Sequence, residues 1–187
     1  MLLTAKCVFT HLPKTGGTWV RQAMRDAGIP CFEGAWHVTP GEVLPVLPDR
    51  YSFTFVRHPV TWWRSWWAHT AAHGISAWPE DPFRPAISRF TDVSYAEFMT
   101  RMLGDVPGQY SRIVDRYTDG VTRTGRTERL AEDLPAILGE AGERAPVVLP
   151  PANVTRRAVA ADPGIDAEIT RTEQAVIARF YAGGEDL

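Results

Sequence analysis

Residues 6–19 read Lys-Cys-Val-Phe-Thr-His-Leu-Pro-Lys-Thr-Gly-Gly-Thr-Trp, and this stretch decides the fold. The run Lys6 to Leu12 predicts a buried β-strand ending at Pro13, because it is short, apolar and rich in β-branched and aromatic residues. Thr18 to Ala27 predicts a helix that ends at Gly28. Between them lies a glycine loop, where backbone N–H groups and the positive end of a helix dipole converge. The stretch therefore predicts an anion site of the kind that binds phosphate.

The side chains of this loop suit the same chemistry. Lys14 supplies a positive charge, and the missing side chains of Gly16 and Gly17 let the backbone approach a phosphate closely. The hydroxyls of Thr15 and Thr18 are further candidate donors to the phosphate oxygens. An ordinary tight turn with a chance lysine is the alternative interpretation. The usual nucleoside-triphosphate loop is disfavoured, because its lysine follows the glycines whereas Lys14 precedes them.

A second strand–loop–helix unit supplies an independent motif. Tyr51 to Val56 (YSFTFV) is the clearest strand, and Pro59 to Gly74 predicts the following helix. Arg57 stands directly after the strand, and Ser65 comes eight residues later. An arginine binds phosphate through two parallel N–H bonds, and a serine hydroxyl can add a third. Strands that alternate with helices predict an α/β fold with a parallel sheet.

Length and composition limit the class of protein. The chain has 187 residues, 44% hydrophobic and 22% charged, which predicts one globular domain over residues 1–187. No apolar run approaches the ~20 residues that span a bilayer, and no basic segment precedes the N-terminal apolar stretch. Cys7 and Cys31 are too few for a disulfide framework. We therefore expect a cytoplasmic protein that does not bind a membrane. The net charge of −2 argues against a general nucleic-acid binder.

The remaining sequence predicts shorter elements. Thr39 before Pro40 predicts the start of a helix through Leu44, and Ser94 with Glu97 predicts a capped helix to about Leu103. Residues 75–93, rich in Pro, Ser and Asp, predict a long surface loop. Further predictions are strands at Pro30–Val38, Gly120–Thr124 and Pro146–Leu149 and helices at Glu128–Leu138 and Ile165–Tyr181.

Together, the two motifs resemble those of sulfotransferases that use 3′-phosphoadenosine 5′-phosphosulfate (PAPS). HLPKTGGTW at residues 11–19 is similar to the family's 5′-phosphosulfate loop, commonly written PKSGTTW or PKTGGT. Arg57 and Ser65 reproduce the spacing of the pair that binds the 3′-phosphate. The resemblance covers residues 7–67 well. It implies a three-layer α/β fold of the nucleotide-kinase type, PAPS as sulfuryl donor, 3′-phosphoadenosine 5′-phosphate (PAP) as product, and no metal.

The resemblance also implies individual roles. The loop residues bind the 5′ end, and Trp19 lies against the adenine, with plain core packing as the alternative. Asn153 to Arg157 (NVTRR) is similar to a late loop that folds over the cofactor, although loop arginines are more often solvated. The implied cofactor-binding residues are Lys14, Thr15, Gly16, Gly17, Thr18, Trp19, Arg57, Ser65, Arg156 and Arg157.

Sulfuryl transfer further needs a base for the acceptor proton and positive charge near the leaving phosphate. Lys14 is the catalytic candidate for the second task. By resemblance the base is a histidine or glutamate after the first helix, and His37 stands where several carbohydrate-modifying members carry theirs. Glu33 is the alternative base, and an ordinary hydrogen-bonded histidine is the alternative interpretation of His37. We expect His11, just before the loop, to support it.

Four tryptophans in the second motif, Trp62, Trp63, Trp66 and Trp67, cannot share one helical face. This spacing predicts that some are exposed or line a pocket, where an aromatic or sugar acceptor could stack. The alternative is that two pack in the core and two lie under the 75–93 loop. The acceptor class is therefore open: a small molecule or glycan with a hydroxyl or amine group.

Two other functions remain open from the sequence. A phosphotransferase could use a similar loop, although the lysine position and the lack of an evident Mg²⁺ partner disfavour it. The other is a non-catalytic module that binds a phosphorylated nucleotide or a partner protein, because the chain is short for the family and could be an inactive relative with a reduced acceptor pocket. Turnover with an acceptor separates an enzyme from such a module.

Overall fold

The structure is a computed structural model that describes residues 1–73, 93–144 and 159–183. The described residues form helices and strands in the alternating order of an α/β protein. They divide into two compact units, each built from two separate stretches of the sequence. A single domain over the whole chain stays a prediction. The first unit is Met1–Arg57 with Ile113–Val154, and the second is His58–Arg112 with Thr155–Leu187.

A five-stranded mixed sheet lies in the first unit. Strands β2, β4 and β5 run parallel, whereas β1 pairs antiparallel with both β2 and β3. The predicted parallel sheet is thus confirmed for its three longest strands, and the predicted strand at Pro30–Val38 shrinks to two residues. The spatial order is β3 (Phe32–Glu33), β1 (Leu2–Leu3), β2 (Cys7–Phe9), β4 (Tyr51–Val56), β5 (Arg123–Arg126).

The α-helices of the described residues agree with most of the predicted positions. The helix predicted from Thr39 is present and has the capping box between Thr39 and Glu42, and Ser94 caps the next predicted one. One helix, over residues 109–118, was not predicted. The helices are α1 (Gly17–Asp26), α2 (Pro40–Val43), α3 (Pro59–His73), α4 (Tyr95–Asp105), α5 (Gln109–Thr118), α6 (Leu130–Glu140), α7 (Pro163–Thr172) and α8 (Gln174–Phe180).

The C-terminal helix predicted at Ile165–Tyr181 is in fact two helices, α7 and α8, which meet at Glu173. The buried Glu173 carboxylate accepts hydrogen bonds from the backbone N–H groups of Tyr110 and Ser111, in the first turn of α5. A carboxylate at that point satisfies donors that lack partners within the helix and interacts favourably with its dipole. The break between α7 and α8 therefore lies at the residue whose carboxylate caps the N-terminus of α5.

Three phenylalanines form the centre of the first unit's core. Phe9 stacks on Phe53 with ring centroids 5.2 Å apart, and Phe55 meets both rings edge-on. Helix α1 follows β2 in the chain, and α6 follows β5. Both helices contribute apolar side chains to the same cluster and so pack against the sheet. Burial of this aromatic area stabilises the sheet and holds the ends of its strands in register.

In the second unit, the tryptophans of α3 are all buried, at 0–7% exposure. Trp62 stacks on Trp66 and on Tyr110, with centroids 5.0 and 4.3 Å apart. Trp63 and Trp67 instead pack edge-on against aromatic rings of α4. The prediction that some of the four are exposed is therefore wrong, because rings of α4 and α5 pack against them and α7 also contacts α3.

Some predicted elements lie outside the described residues. These are the strand at Pro146–Leu149 and the loop at 75–93 except for Val93. Among the helices that the structure does describe, none combines the length and apolar character needed to cross a membrane.

Candidate functional site

The three parallel strands end at one edge of the sheet, and this edge carries the predicted site. The Thr10 N–H donates to Phe53 O at 3.0 Å, and the Thr54 hydroxyl donates to Thr10 O at 2.8 Å. On the other side of β4, the Thr127 hydroxyl donates to Val56 O at 2.9 Å. These bonds extend the pairing past the strand ends, so the loop after β2 and Arg57 after β4 begin as neighbours.

Lys14 and Arg57 meet at this edge. Arg57 Nη1 donates to the backbone oxygen of Lys14 at 3.3 Å. Lys14 has a φ of 66°, a left-handed conformation that costs a non-glycine residue about 1–2 kcal/mol. Burial, and then the neighbouring charge of Arg57, lower the pKa of Lys14 to about 8. The repulsion between these two half-buried positive charges costs free energy, and an anion bound between them would reduce that cost.

The N-terminus of α1 opens toward the same loop. Its N-cap, Gly16, has a φ of 83° and no side-chain capping bond, and the first turn contains no acidic residue. The first backbone bond of the helix runs from Val20 N to Gly16 O, so the N–H groups of Gly17 and Thr18 have no acceptor within the helix. Thr18 is also exposed at this end. Backbone donors and the helix dipole are thus available to an anion.

Thr15 differs from its predicted role. Its hydroxyl donates to Leu12 O at 2.7 Å, and the side chain is buried. A hydroxyl has one proton to donate, so this bond leaves none for a phosphate oxygen. Any contact from Thr15 to a phosphate therefore comes from its backbone N–H.

Packing alone requires the two loop glycines. A Cβ on Gly17 would overlap the imidazole of His11, and one on Gly16 would overlap the Leu130 side chain. His11 is buried, at 5% exposure, and burial drives its pKa well below the usual value. The neutral imidazole therefore packs against the loop at Gly17, which agrees with the supporting role that the sequence predicts.

His37 is held beside the loop by two hydrogen bonds. Its Nδ1 lies 3.2 Å from His11 O, and its own backbone oxygen accepts from the Tyr117 hydroxyl at 2.7 Å. Because a carbonyl only accepts, Nδ1 carries the proton and Nε2 is the basic atom. Burial lowers the pKa of His37 to about 4, so the ring is neutral at pH 7. The neutral charge state allows Nε2 to accept a proton at pH 7.

Glu33, the alternative base, is engaged elsewhere. Its carboxylate pairs with Arg21 at 3.1 Å and with Arg25, both on α1. The hydrogen bond from Arg25, with further attraction from both arginines, lowers the pKa of Glu33. Arg21 also lies under the Trp36 ring, 4.1 Å from its centroid. Protonation of Glu33 would break its ion pairs with Arg21 and Arg25, so Glu33 is the less suitable of the two candidate bases.

The other predicted residues fall into different places. Trp19 is 5% exposed and belongs to the core cluster, so core packing is its role in the structure, and an adenine contact would need the ring to leave the core. Ser65 is buried in the second unit, whereas Arg57 ends the first, and their shared phosphate contact stays a prediction. Arg156 and Arg157 lie outside the described residues.

Sequence reasoning missed two side chains that shape this region, Tyr117 and Arg21. Tyr117 lies on α5, whose buried residues recur with helical spacing at Tyr110, Ile113, Val114 and Tyr117. That pattern is a standard helix signal and was present in the sequence. Arg21 gave no signal, because an arginine on an amphipathic helix is ordinarily solvated.

Within the described ranges, no three His, Cys, Asp or Glu side chains group as a metal site, and the absence of a metal stays a prediction. No family model matches the chain, and no curated protein or solved structure shows significant similarity to it.

Proposed function

We propose that this chain is a sulfotransferase, which transfers a sulfuryl group from PAPS to a hydroxyl or amine acceptor. The observation that carries the proposal is the contact between Lys14 and Arg57 at a glycine loop that opens a helix. The loop donors, the two cations and the resemblance of both motifs all favour a ligand with phosphates at two positions. We include in the proposal the three-layer, nucleotide-kinase type of fold.

Each residue then has a defined task. The backbone N–H groups of Gly17 and Thr18 bind the 5′-phosphosulfate together with Lys14, and Arg57 binds the 3′-phosphate. His37 Nε2 accepts the acceptor proton while the acceptor oxygen or nitrogen bonds to sulfur. The bond from sulfur to the 5′-phosphate oxygen breaks, and that oxygen keeps the electron pair. Lys14 stabilises the resulting charge, so sulfated acceptor and PAP are the products.

Titration calorimetry with PAP and with ATP tests the nucleotide class. We expect micromolar affinity for PAP and little for ATP, because the site is matched to a 3′-phosphate and not to a γ-phosphate. Tighter ATP binding that depends on Mg²⁺ would instead favour a phosphotransferase. Transfer of ³⁵S from labelled PAPS to a panel of phenols, sugars and amines then separates an enzyme from a binding module.

Lys14→Ala and Arg57→Ala should each weaken PAP binding about tenfold or more. Each removes a charge-assisted contact of roughly 1.5–3 kcal/mol. Lys6→Ala is the matched control, because Lys6 is the other lysine of the chain and contacts the Gly142 carbonyl away from the loop. Calorimetry on all three variants measures the effect. Parent-like affinity in both folded site variants would refute two-phosphate binding.

PAP affinity should also fall as the pH rises above about 8. The pKa of Lys14 is about 8 in the free protein, and a bound phosphate raises it, so binding takes up a proton above pH 8. The affinity is complete below pH 8 and is lost as the pH rises toward the raised pKa, by at most about tenfold per unit. Phosphate groups, with a second pKa of about 6, are ionised throughout this range. Lys14→Arg should bind without this dependence between pH 7 and pH 10, and an equal slope in both proteins would contradict the role of Lys14.

A further inference from the structure

The segment that carries His37 has no regular structure of its own. Residues 34–39 connect β3 to α2 without a helix or a strand. A side chain on such a segment depends on specific contacts for its position, and a base must lie within hydrogen-bond reach of the proton that it takes. The contacts that fix the position of His37 therefore determine whether its imidazole can act as a base.

Two hydrogen bonds hold different parts of this residue. The bond from Nδ1 to His11 O sets the ring, and the bond from the Tyr117 hydroxyl to His37 O sets the main chain. The partners come from distant parts of the sequence, 26 and 80 residues away. With both ends fixed, the imidazole cannot turn Nδ1 away from His11 O without breaking a bond.

Tyr117 is well suited to act as a fixed donor. It is buried, at 5% exposure, and lies near the end of α5 next to the buried Ile113 and Val114. A side chain whose ring is packed keeps its hydroxyl in one place, and it loses little conformational freedom on making the bond. The hydroxyl–carbonyl distance of 2.7 Å is typical of a well-formed O–H···O bond.

We propose that Tyr117 is a positioning residue for His37, whose main chain its hydroxyl holds so that Nδ1 stays on His11 O and Nε2 stays the basic atom. The catalytic consequence rests on the proposed function, because it needs His37 to be the base. The control of the His37 tautomer does not rest on it and is observable without any substrate. Failure of the two ideas can therefore be told apart.

Tyr117→Phe tests the proposal, because it removes the hydroxyl and keeps the ring. In ¹⁵N-histidine NMR spectra, we expect the parent to show one Nδ1–H tautomer for His37 and the variant to show a mixture. Transfer from PAPS should slow about tenfold in kcat, while the PAP dissociation constant changes less than twofold. Replacing Tyr117 with 4-aminophenylalanine, which restores an N–H donor, should recover both the single tautomer and most of the rate.

Tyr95→Phe is the matched control, since Tyr95 is another buried tyrosine, which packs on Trp67 in the second unit. It should leave the His37 spectrum and the rate at the parent values. A single tautomer retained in Tyr117→Phe, with an unchanged rate, would overturn the proposal. If the tautomer changes but the parent transfers no sulfuryl group to any acceptor, Tyr117 still positions His37 and the sulfotransferase assignment fails. If Tyr117→Phe does not fold, the 4-aminophenylalanine protein decides, and a mixed tautomer there also overturns the proposal.

Discussion

His37→Ala is expected to slow sulfuryl transfer by about 10²–10⁴, the usual contribution of a positioned acid or base. PAP affinity should change little, because a base acts on the reacting atoms and not on the nucleotide phosphates. His37 is neutral at pH 7, because its pKa is lowered to about 4, and its proton is on Nδ1, so Nε2 is the atom that accepts a proton. A pKa this far below 7 makes His37 a weak base, so we expect an effect toward the lower end of the range. Single-turnover rates with labelled PAPS, together with calorimetry, measure the two quantities separately.

Glu33→Gln is the control for this base assignment. It keeps the shape of the side chain and removes a carboxylate that pairs with Arg21 and Arg25. We expect transfer to continue in this variant, with some loss of stability because Arg21 is buried. If transfer survives in His37→Ala and collapses in folded Glu33→Gln, Glu33 is the base. If neither change slows transfer, the base lies outside this segment.

Gly17→Ala is expected to destabilise the fold by about 3 kcal/mol and to abolish PAP binding. The added Cβ would overlap the imidazole of His11, which is buried under the loop. Overpacking of this kind typically costs 1–3 kcal/mol. The buried imidazole has little room to move, so we expect a cost at the upper end of this range. If the loop shifts to relieve the overlap, its backbone N–H donors move away from their phosphate-binding positions, and PAP binding is lost. Chemical denaturation and calorimetry measure the two losses.

Two further variants isolate the contact between Gly17 and His11. In the His11→Ala background the Cβ has space, so Gly17→Ala should cost less there, by about 1–3 kcal/mol of coupling in a double-mutant cycle. Gly139→Ala, in α6, meets nothing within 4 Å and should be neutral or stabilising by up to about 1 kcal/mol. Additive costs for Gly17→Ala and His11→Ala would show that the two side chains do not conflict.

Local patterns made much of the fold predictable. The strand before Pro13, the helix after Gly17 and the second strand at 51–56 were found because each has its own hydrophobic pattern and its own stop signal. The same locality failed at residues 165–181, where the break at Glu173 reflects a contact with Tyr110 and Ser111 and not a local signal. The hydrophobic pattern of a helix does not indicate which backbone N–H groups, far along the chain, a carboxylate such as that of Glu173 will bind.

The candidate site divides in the same way. The amino-acid sequence by itself determined that Lys14 precedes two glycines in the loop after one strand and that Arg57 directly follows another, because each of these features is local in the chain. The pairing of the two strands, which brings Arg57 to the Lys14 carbonyl, was decided by the tertiary structure. Tertiary structure alone decided which tryptophans are buried, since spacing gives the faces of α3 but not the elements that cover them. It also decided that Thr15 donates within the loop, that Glu33 pairs with Arg21 and Arg25, and that His37 is neutral and anchored by His11 and Tyr117. Charge state and orientation depend on burial and on partners far along the chain, and neither is encoded in residue type or spacing.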